Sequence, residues 1–286
     1  MQPKVDKLQT LKALKDAPIG IFDSGLGGLT VLRELRKVLP NEKYIYLGDT
    51  ARTPYGSKSS ATVLRYAAEC ANYLLEQRIK LLVVACNTAS AIALRVLDEE
   101  CICPVIGTID GTVSRALKYS ISETIGVIGT TATISSGVYQ REIEKNAPKA
   151  NVYSAACPLF VPLVEQGMLS GEIVSKIVEH HLKELKASDI DTLILGCTHY
   201  PLLLGALNEY FGANVELIEC SKSIALDVFK LLKQADALNP SAIGDERYFV
   251  TDDVSRFNTF ASLFLDTSSV DAVHVEELPS EGLRSI

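Results

Sequence analysis

Two cysteines stand where a thiol can act on a substrate. Leu82-Val-Val-Ala-Cys86-Asn-Thr88 and Leu193-Ile-Leu-Gly-Cys197-Thr-His199 share one pattern. A small-and-apolar run leads to a thiol, two polar residues follow, and a helix pattern begins. A thiol at a helix N-terminus meets unpaired N–H groups and the positive end of the dipole, which favours the thiolate. Two such thiols facing each other across a cleft can act as base and acid on opposite faces of one carbon. The ordinary role of a cysteine is that of a small buried apolar residue. That role goes to Cys70, Cys101, Cys103, Cys157 and Cys220. Cys101 and Cys103 are spaced C-x-C, which is not the C-x-x-C of zinc or redox sites.

Further polar residues gather at comparable places. Asp23 closes an apolar run and opens the turn Asp23-Ser-Gly-Leu-Gly-Gly28. Thr30 breaks the G-x-G-x-x-G pattern and the lysine of a phosphate loop is lacking, so a dinucleotide reading is weak. The glycines still let backbone N–H groups approach an anion. Asp23 either exchanges a proton with a thiol or caps the next helix. In Thr53-Pro-Tyr-Gly56, Tyr55 and the Gly56 amide can bind a carboxylate. Asn87, Thr88, Thr130 and Thr198 offer neutral donors for a small anion. His199 can hold Cys197 as a thiolate or shuttle its proton, and Glu165 can pair with His199. His180 and His181 read as solvated, and His274 falls in the tail. The histidines have no carboxylates at metal-ligand spacing, so no metal site is expected.

These residues need strands and helices to place them. Apolar runs at Ile19–Asp23, Tyr44–Asp49, Leu81–Cys86, Val105–Ile109, Ile125–Thr130, Val152–Ala155, Thr192–Cys197 and Val215–Glu219 read as strands covered on both faces. Helical patterns lie between them, as at Ala61–Arg78, Thr88–Glu100 and Ile173–Lys186. The alternation predicts an α/β fold with mainly parallel sheets, whose binding crevice lies outside the carboxyl ends of the strands. Asp23, Cys86, Thr130 and Cys197 all fall there. The two cysteine segments, and more loosely Gly20–Gly25 and Gly126–Thr131, recur at almost the same separation along the chain. That repeat predicts two similar three-layer α/β domains related by a pseudo-two-fold, with the active site in the cleft between them. The boundaries expected are an extension over 1–17, a discontinuous first domain over 18–110 plus 221–286, and a second over 111–220.

The whole chain sets limits on the chemistry. It has 286 residues and a net charge of −7. This balance argues against broad nucleic-acid binding. The longest apolar region is broken by Asn87, Thr88, Ser90 and Arg95, so no membrane span is expected. The first residues are polar and Lys-rich, without the apolar core of a signal peptide. With seven cysteines, an odd number, the chain reads as a reduced cytoplasmic protein. A homodimer is the expected assembly.

The ordered motifs resemble a known family. Asp23-Ser-Gly-Leu-Gly-Gly, Pro54-Tyr-Gly, Ala85-Cys-Asn-Thr-Ala89, Ile128-Gly-Thr-Thr-Ala-Thr133 with Ser135 and Tyr139, Pro158 through Gly167, and Gly196-Cys-Thr-His-Tyr-Pro-Leu202 are similar to the successive signatures of bacterial glutamate racemases. The resemblance runs from about Pro18 to Lys230. It implies cofactor-independent interconversion of L- and D-glutamate that supplies D-glutamate to peptidoglycan. By resemblance Cys86 removes the α-proton of D-glutamate and Cys197 that of L-glutamate. It also implies that Asp23, Glu165 and His199 assist. The substrate contacts implied are Asp23, Ser24, Tyr55, Gly56, Asn87, Thr88, Thr198 and His199. An aspartate racemase on the same fold and a non-catalytic binding module are the competing readings. Met1–Ala17 resembles the extensions of family members that respond to a peptidoglycan precursor, and a frayed helix or tail is the simpler reading.

Overall fold

A computed structural model of the chain describes residues 6–240, 244–265 and 270–279. In the first half, strands β1 (Ile19–Asp23), β2 (Tyr44–Gly48), β3 (Leu81–Val84) and β4 (Val105–Ile106) pair in parallel in the order β2-β1-β3-β4. In the second half, β5 (Thr124–Gly129), β6 (Asn151–Ala156), β7 (Thr192–Gly196) and β8 (Glu216–Glu219) pair in the order β6-β5-β7-β8. The two orders are the same, so the internal repeat read from the cysteine segments is a repeat of topology. Two further strands, β9 (Glu246–Val250) and β10 (Ala272–His274), extend the first sheet beyond β2, also in parallel.

The central strands β1, β2, β3 and β7 are buried along their whole length. Near-continuous apolar sequence produces this pattern when helices cover both faces of a parallel sheet. Each expected strand is present with small changes at its ends. The runs ending at Cys86, Thr130 and Cys197 stop at Val84, Gly129 and Gly196. The candidate residues therefore lie just beyond the strands, where the backbone has left the ladder and the side chains turn into the crevice.

Helix Cys220–Gln234 joins the halves, packing on Leu29–Val38 of the first and on Asp110–Tyr119. The segment ahead of β1 is held as well. Asp6 caps helix Lys7–Ala13 by accepting from the Leu8 and Gln9 amides, and Leu11 is fully buried. Lys80, also fully buried, pairs with Glu42 at 2.6 Å and donates to the carbonyls of Lys15 (2.7 Å) and Ala237 (3.0 Å). Residues 7–17 are thus docked and not frayed, while residues 1–5 of the expected extension lie outside those described.

Three local expectations change. His274 is in β10, with Nε2 3.1 Å from the Thr251 carbonyl. His181 is half-buried with its ring edge-on to Phe160, so only His180 of that pair is solvated. Strands β9 and β10 and helix Val254–Leu265 had no forecast. Their sequence is short, charged at its start and half-exposed, so it carries neither a buried-strand run nor a clear helix stripe.

Candidate active site

The carboxyl ends of both sheets meet in one narrow cleft of about 20 Å3. From the first half it is lined by Ser24, Thr53, Pro54, Tyr55, Gly56, Cys86, Asn87 and Thr88, and from the second by Thr130, Val161, Cys197, Thr198 and His199. Both thiols are in it, each following the third strand of its own half. The sequence expectation that equivalent places would supply one thiol each agrees with this geometry.

Close packing of the halves depends on glycines. A Cβ on Gly27 would collide with the Thr198 hydroxyl and the His199 ring, and one on Gly56 would sit 2.5 Å from Thr130 Cβ. Neither Gly27 nor Gly56 has positive φ, so close approach is their common reason. Across the same seam, Thr30 Oγ1 donates to the Gly27 carbonyl (2.8 Å) and lies 3.1 Å from the Thr198 carbonyl.

Cys86 is the N-cap of helix Asn87–Glu100, and its Sγ lies 3.4 Å from Ser24 Oγ. Cys197 Sγ lies 3.8 Å from His199 Nδ1. The helix after Cys197 starts as the 3-10 turn Tyr200–Leu203 and becomes α-helical only at Leu204. Burial pushes the Cys86 thiol up to about 11, with the Asp23 charge adding to it. Burial also pushes Cys197 well above the ordinary thiol range. Burial thus opposes the thiolate that a helix N-terminus would favour. Backbone N–H groups do favour each anion, but desolvation outweighs them.

Asp23 is fully buried, and burial raises its carboxyl above the usual range although His199 opposes this. Its Oδ2 accepts from the Gly25 amide at 2.9 Å and Thr198 Oγ1 lies 3.5 Å from Oδ1. Gly28, not Asp23, is the N-cap of helix Leu29–Val38, which removes the capping alternative. Glu165 ends the short helix Phe160–Glu165, with Oε1 3.3 Å from His199 Nε2. Burial would raise this carboxyl, but His199 and Arg256 together hold it below the usual range.

Asn87 is clamped. Its Nδ2 donates to Tyr139 Oη at 2.8 Å, and its Oδ1 accepts from Cys220 Sγ at 3.4 Å. Burial pushes the Cys220 thiol up to about 12, which keeps the donor proton on sulfur. Cys220 therefore does more than pack. Thr88 Oγ1 lies 2.9 Å from Thr130 Oγ1 and 3.2 Å from Thr133 Oγ1, and Thr130 also caps helix Thr131–Ser135. The Tyr55 hydroxyl donates to Asp49, so its proton is already engaged. Cys220, Thr133, Asp49 and Arg256 were not foreseen around the site. Cys220, Asp49 and Arg256 lie outside any motif and reach the site through side-chain contacts, and Thr133, inside the Ile128–Thr133 motif, reaches it through Thr88 and Thr130. Among the described residues, no group of three or more His, Cys, Asp or Glu is placed to hold a metal ion, and no helix is long and apolar enough to cross a membrane.

Residues 27–226 match the family described as Asp/Glu/Hydantoin racemase. A glutamate racemase from Aquifex pyrophilus is 52% identical over 215 residues, covering 75% of this chain and 83% of that protein. One from Geobacter metallireducens is 45% identical over 258 residues, covering 90% and 96%. The crystal structure of glutamate racemase from Francisella tularensis in complex with D-glutamate superposes with a TM-score of 0.86 at 40% identity, covering 92% of this chain and 98% of that one.

Proposed function

The chain belongs to the Asp/Glu/Hydantoin racemase family, among its glutamate racemases, and from that premise we propose that it inverts glutamate with two thiols, Cys86 and Cys197, working on opposite faces of Cα. The observation that carries the mechanism is that both thiols line one cleft from equivalent strand ends of two like-ordered sheets.

Starting from L-glutamate, Cys197 as thiolate takes the α-proton and becomes a thiol. The electron pair of the broken C–H bond stays on the substrate. Cys86 as thiol then gives its proton to the opposite face and becomes a thiolate, leaving D-glutamate. The reverse reaction runs the same steps backwards, and proton exchange with solvent resets the pair. His199 receives or returns the Cys197 proton through Nδ1, with Glu165 behind its Nε2. Asp23 assists from beside both thiols, since its charge bears on Cys86 and on Cys197.

The α-proton is the hard part, because an amino-acid Cα–H is a very weak acid. Charge that develops on the substrate is met by fixed donors: the hydroxyls of Ser24, Thr88, Thr130 and Thr198, the amide of Asn87, and the backbone at Tyr55 and Gly56. Preorganised donors in a water-poor cleft stabilise such charge without reorganising during reaction. The mechanism so drawn uses no cofactor. A thiol that burial keeps protonated needs a proton acceptor to become a thiolate, and His199 Nδ1 lies in place for Cys197. The D-glutamate formed serves peptidoglycan synthesis, and seven free, buried cysteines accord with a reducing cytoplasm.

The test is racemisation of L-glutamate without added cofactor. Cys86→Ala and Cys197→Ala should each lose turnover by at least about 1,000-fold with unchanged circular dichroism, while Cys101→Ala keeps it. Near wild-type turnover in Cys197→Ala contradicts the two-thiol mechanism, and activity on aspartate alone contradicts the substrate.

A further inference from the structure

The Cys197 side of the cleft has a support that the Cys86 side lacks. Cys86 Sγ lies beside the Ser24 hydroxyl, whereas Cys197 Sγ faces an imidazole that itself leans on a carboxylate. That carboxylate, Glu165, is the last residue of its helix, where the free carbonyl groups disfavour a negative charge. A cation from elsewhere in the fold answers it. Arg256, on helix Val254–Leu265, places Nη2 3.3 Å from Glu165 Oε2. Glu165 thus has one oxygen on Arg256 and the other on His199 Nε2, which leaves His199 Nδ1 turned to Cys197 Sγ.

The same helix grips the other end of this chain of contacts. Phe264 lies edge-on to the His199 ring, with centroids 6.3 Å apart and planes at 88°. The helix is itself anchored to the first half. Arg33 Nη1 donates to the Phe264 carbonyl at 3.4 Å, and the Phe257 ring packs 5.8 Å from that of Tyr46, whose hydroxyl donates to the Gly25 carbonyl. Arg256 is about two-fifths exposed and does not line the cleft that holds the thiols.

We propose that Arg256 is a positioning residue for the Cys197 half of the reaction: it fixes the Glu165 carboxylate, which aims the His199 ring at the Cys197 thiol. This rests on Cys197 being the base toward L-glutamate. The two enantiomers have equal free energy in water, so kcat/KM must change equally in both directions in any variant. A defect confined to one thiol therefore shows in which proton transfer limits the rate. If transfer at Cys197 slows, removal of the α-hydrogen of L-glutamate becomes more fully rate-limiting, and its removal from D-glutamate less so.

The experiment compares wild type, Arg256→Met and Arg256→Lys, using α-deuterated L- and D-glutamate. Arg256→Met should lower kcat about fivefold in both directions, the scale of a half-exposed ion pair, and leave KM within about twofold. Its primary isotope effect on kcat/KM should rise from L-glutamate and fall from D-glutamate. Arg256→Lys keeps the charge and should recover most of kcat and move both isotope effects back towards wild type. Wild-type kcat in Arg256→Met overturns the proposal. So does a loss with both isotope effects unchanged or moving together, or a lysine variant no better than methionine. The mirror-image change, up from D-glutamate and down from L-glutamate, overturns instead the assignment of thiols to enantiomers on which the proposal stands.

Discussion

Asp23 is a carboxyl that the fold holds at a cost. Burial raises it above its ordinary value of 3.8, so the folded state binds its proton more tightly than the unfolded chain does. The sign of the linkage follows. Below 3.8 the group is protonated in both states and its charge costs nothing. As pH rises from 3.8 towards the folded value the cost grows, and above the folded value it is constant. Asp23→Asn removes the charge and keeps an acceptor for the Gly25 amide. It should raise Tm at neutral pH by about 2 °C or more, with no gain in acid, while lowering turnover at least about tenfold. Thermal melts across pH check this, and a lower Tm at neutral pH contradicts it. The thiols teach the same lesson. Their positions were legible, because an apolar run ending in Cys before a helix is a local pattern. The direction in which their protonation shifts was not, because it depends on burial in the fold, which outweighs the helix N-terminus beside Cys86.

Among the elements, the turn after β1 decides how closely the halves meet. In sequence, the glycines of Asp23–Gly28 suit a backbone that approaches an anion. The structure adds that Gly27 must lack a side chain because Thr198 and His199 of the other half occupy its Cβ position. Gly27→Ala pushes against the loop that carries Cys197, and a shift of about 1 Å in reacting groups can cost about 100-fold in rate. It should lower kcat at least about tenfold. Gly205 in helix Leu204–Phe211 meets nothing within 4 Å of an added Cβ, so Gly205→Ala should keep activity and gain up to about 1 kcal/mol of stability. Steady-state rates and melts on the pair check both, and equal activity in the two variants contradicts the steric account. The strands with buried apolar runs were readable in the same local way. Helix Val254–Leu265 was not, because its role lies in Arg256 and Phe264 reaching residues about 90 and 65 positions earlier in the chain.

For the whole molecule, the repeat is what turns a fold into a two-sided site. Each half has the same strand order, and each presents a thiol after its third strand. A sheet of this kind binds at one crevice beyond its strand ends, so two of them facing each other supply a group to each face of a small molecule. We read residues 18–110 with 221–286 and residues 111–220 as the units that would open and close on substrate. The net charge of −7 does not help to hold an anion, which leaves local hydroxyl and N–H donors to do so. The repeat was legible in the two cysteine segments. The seam between the halves was not, since its contacts join residues as distant as Thr30 and Thr198. The central claim is that different thiols take and give the proton. It is tested most directly by one turnover of α-protonated L-glutamate in deuterated water, with α-deuterium read in product and in recovered substrate. The account predicts D-glutamate carrying solvent deuterium from its first formation, beside L-glutamate that still holds its own hydrogen. D-glutamate that keeps the substrate's hydrogen would mean that one group carries the proton between faces, and would contradict it.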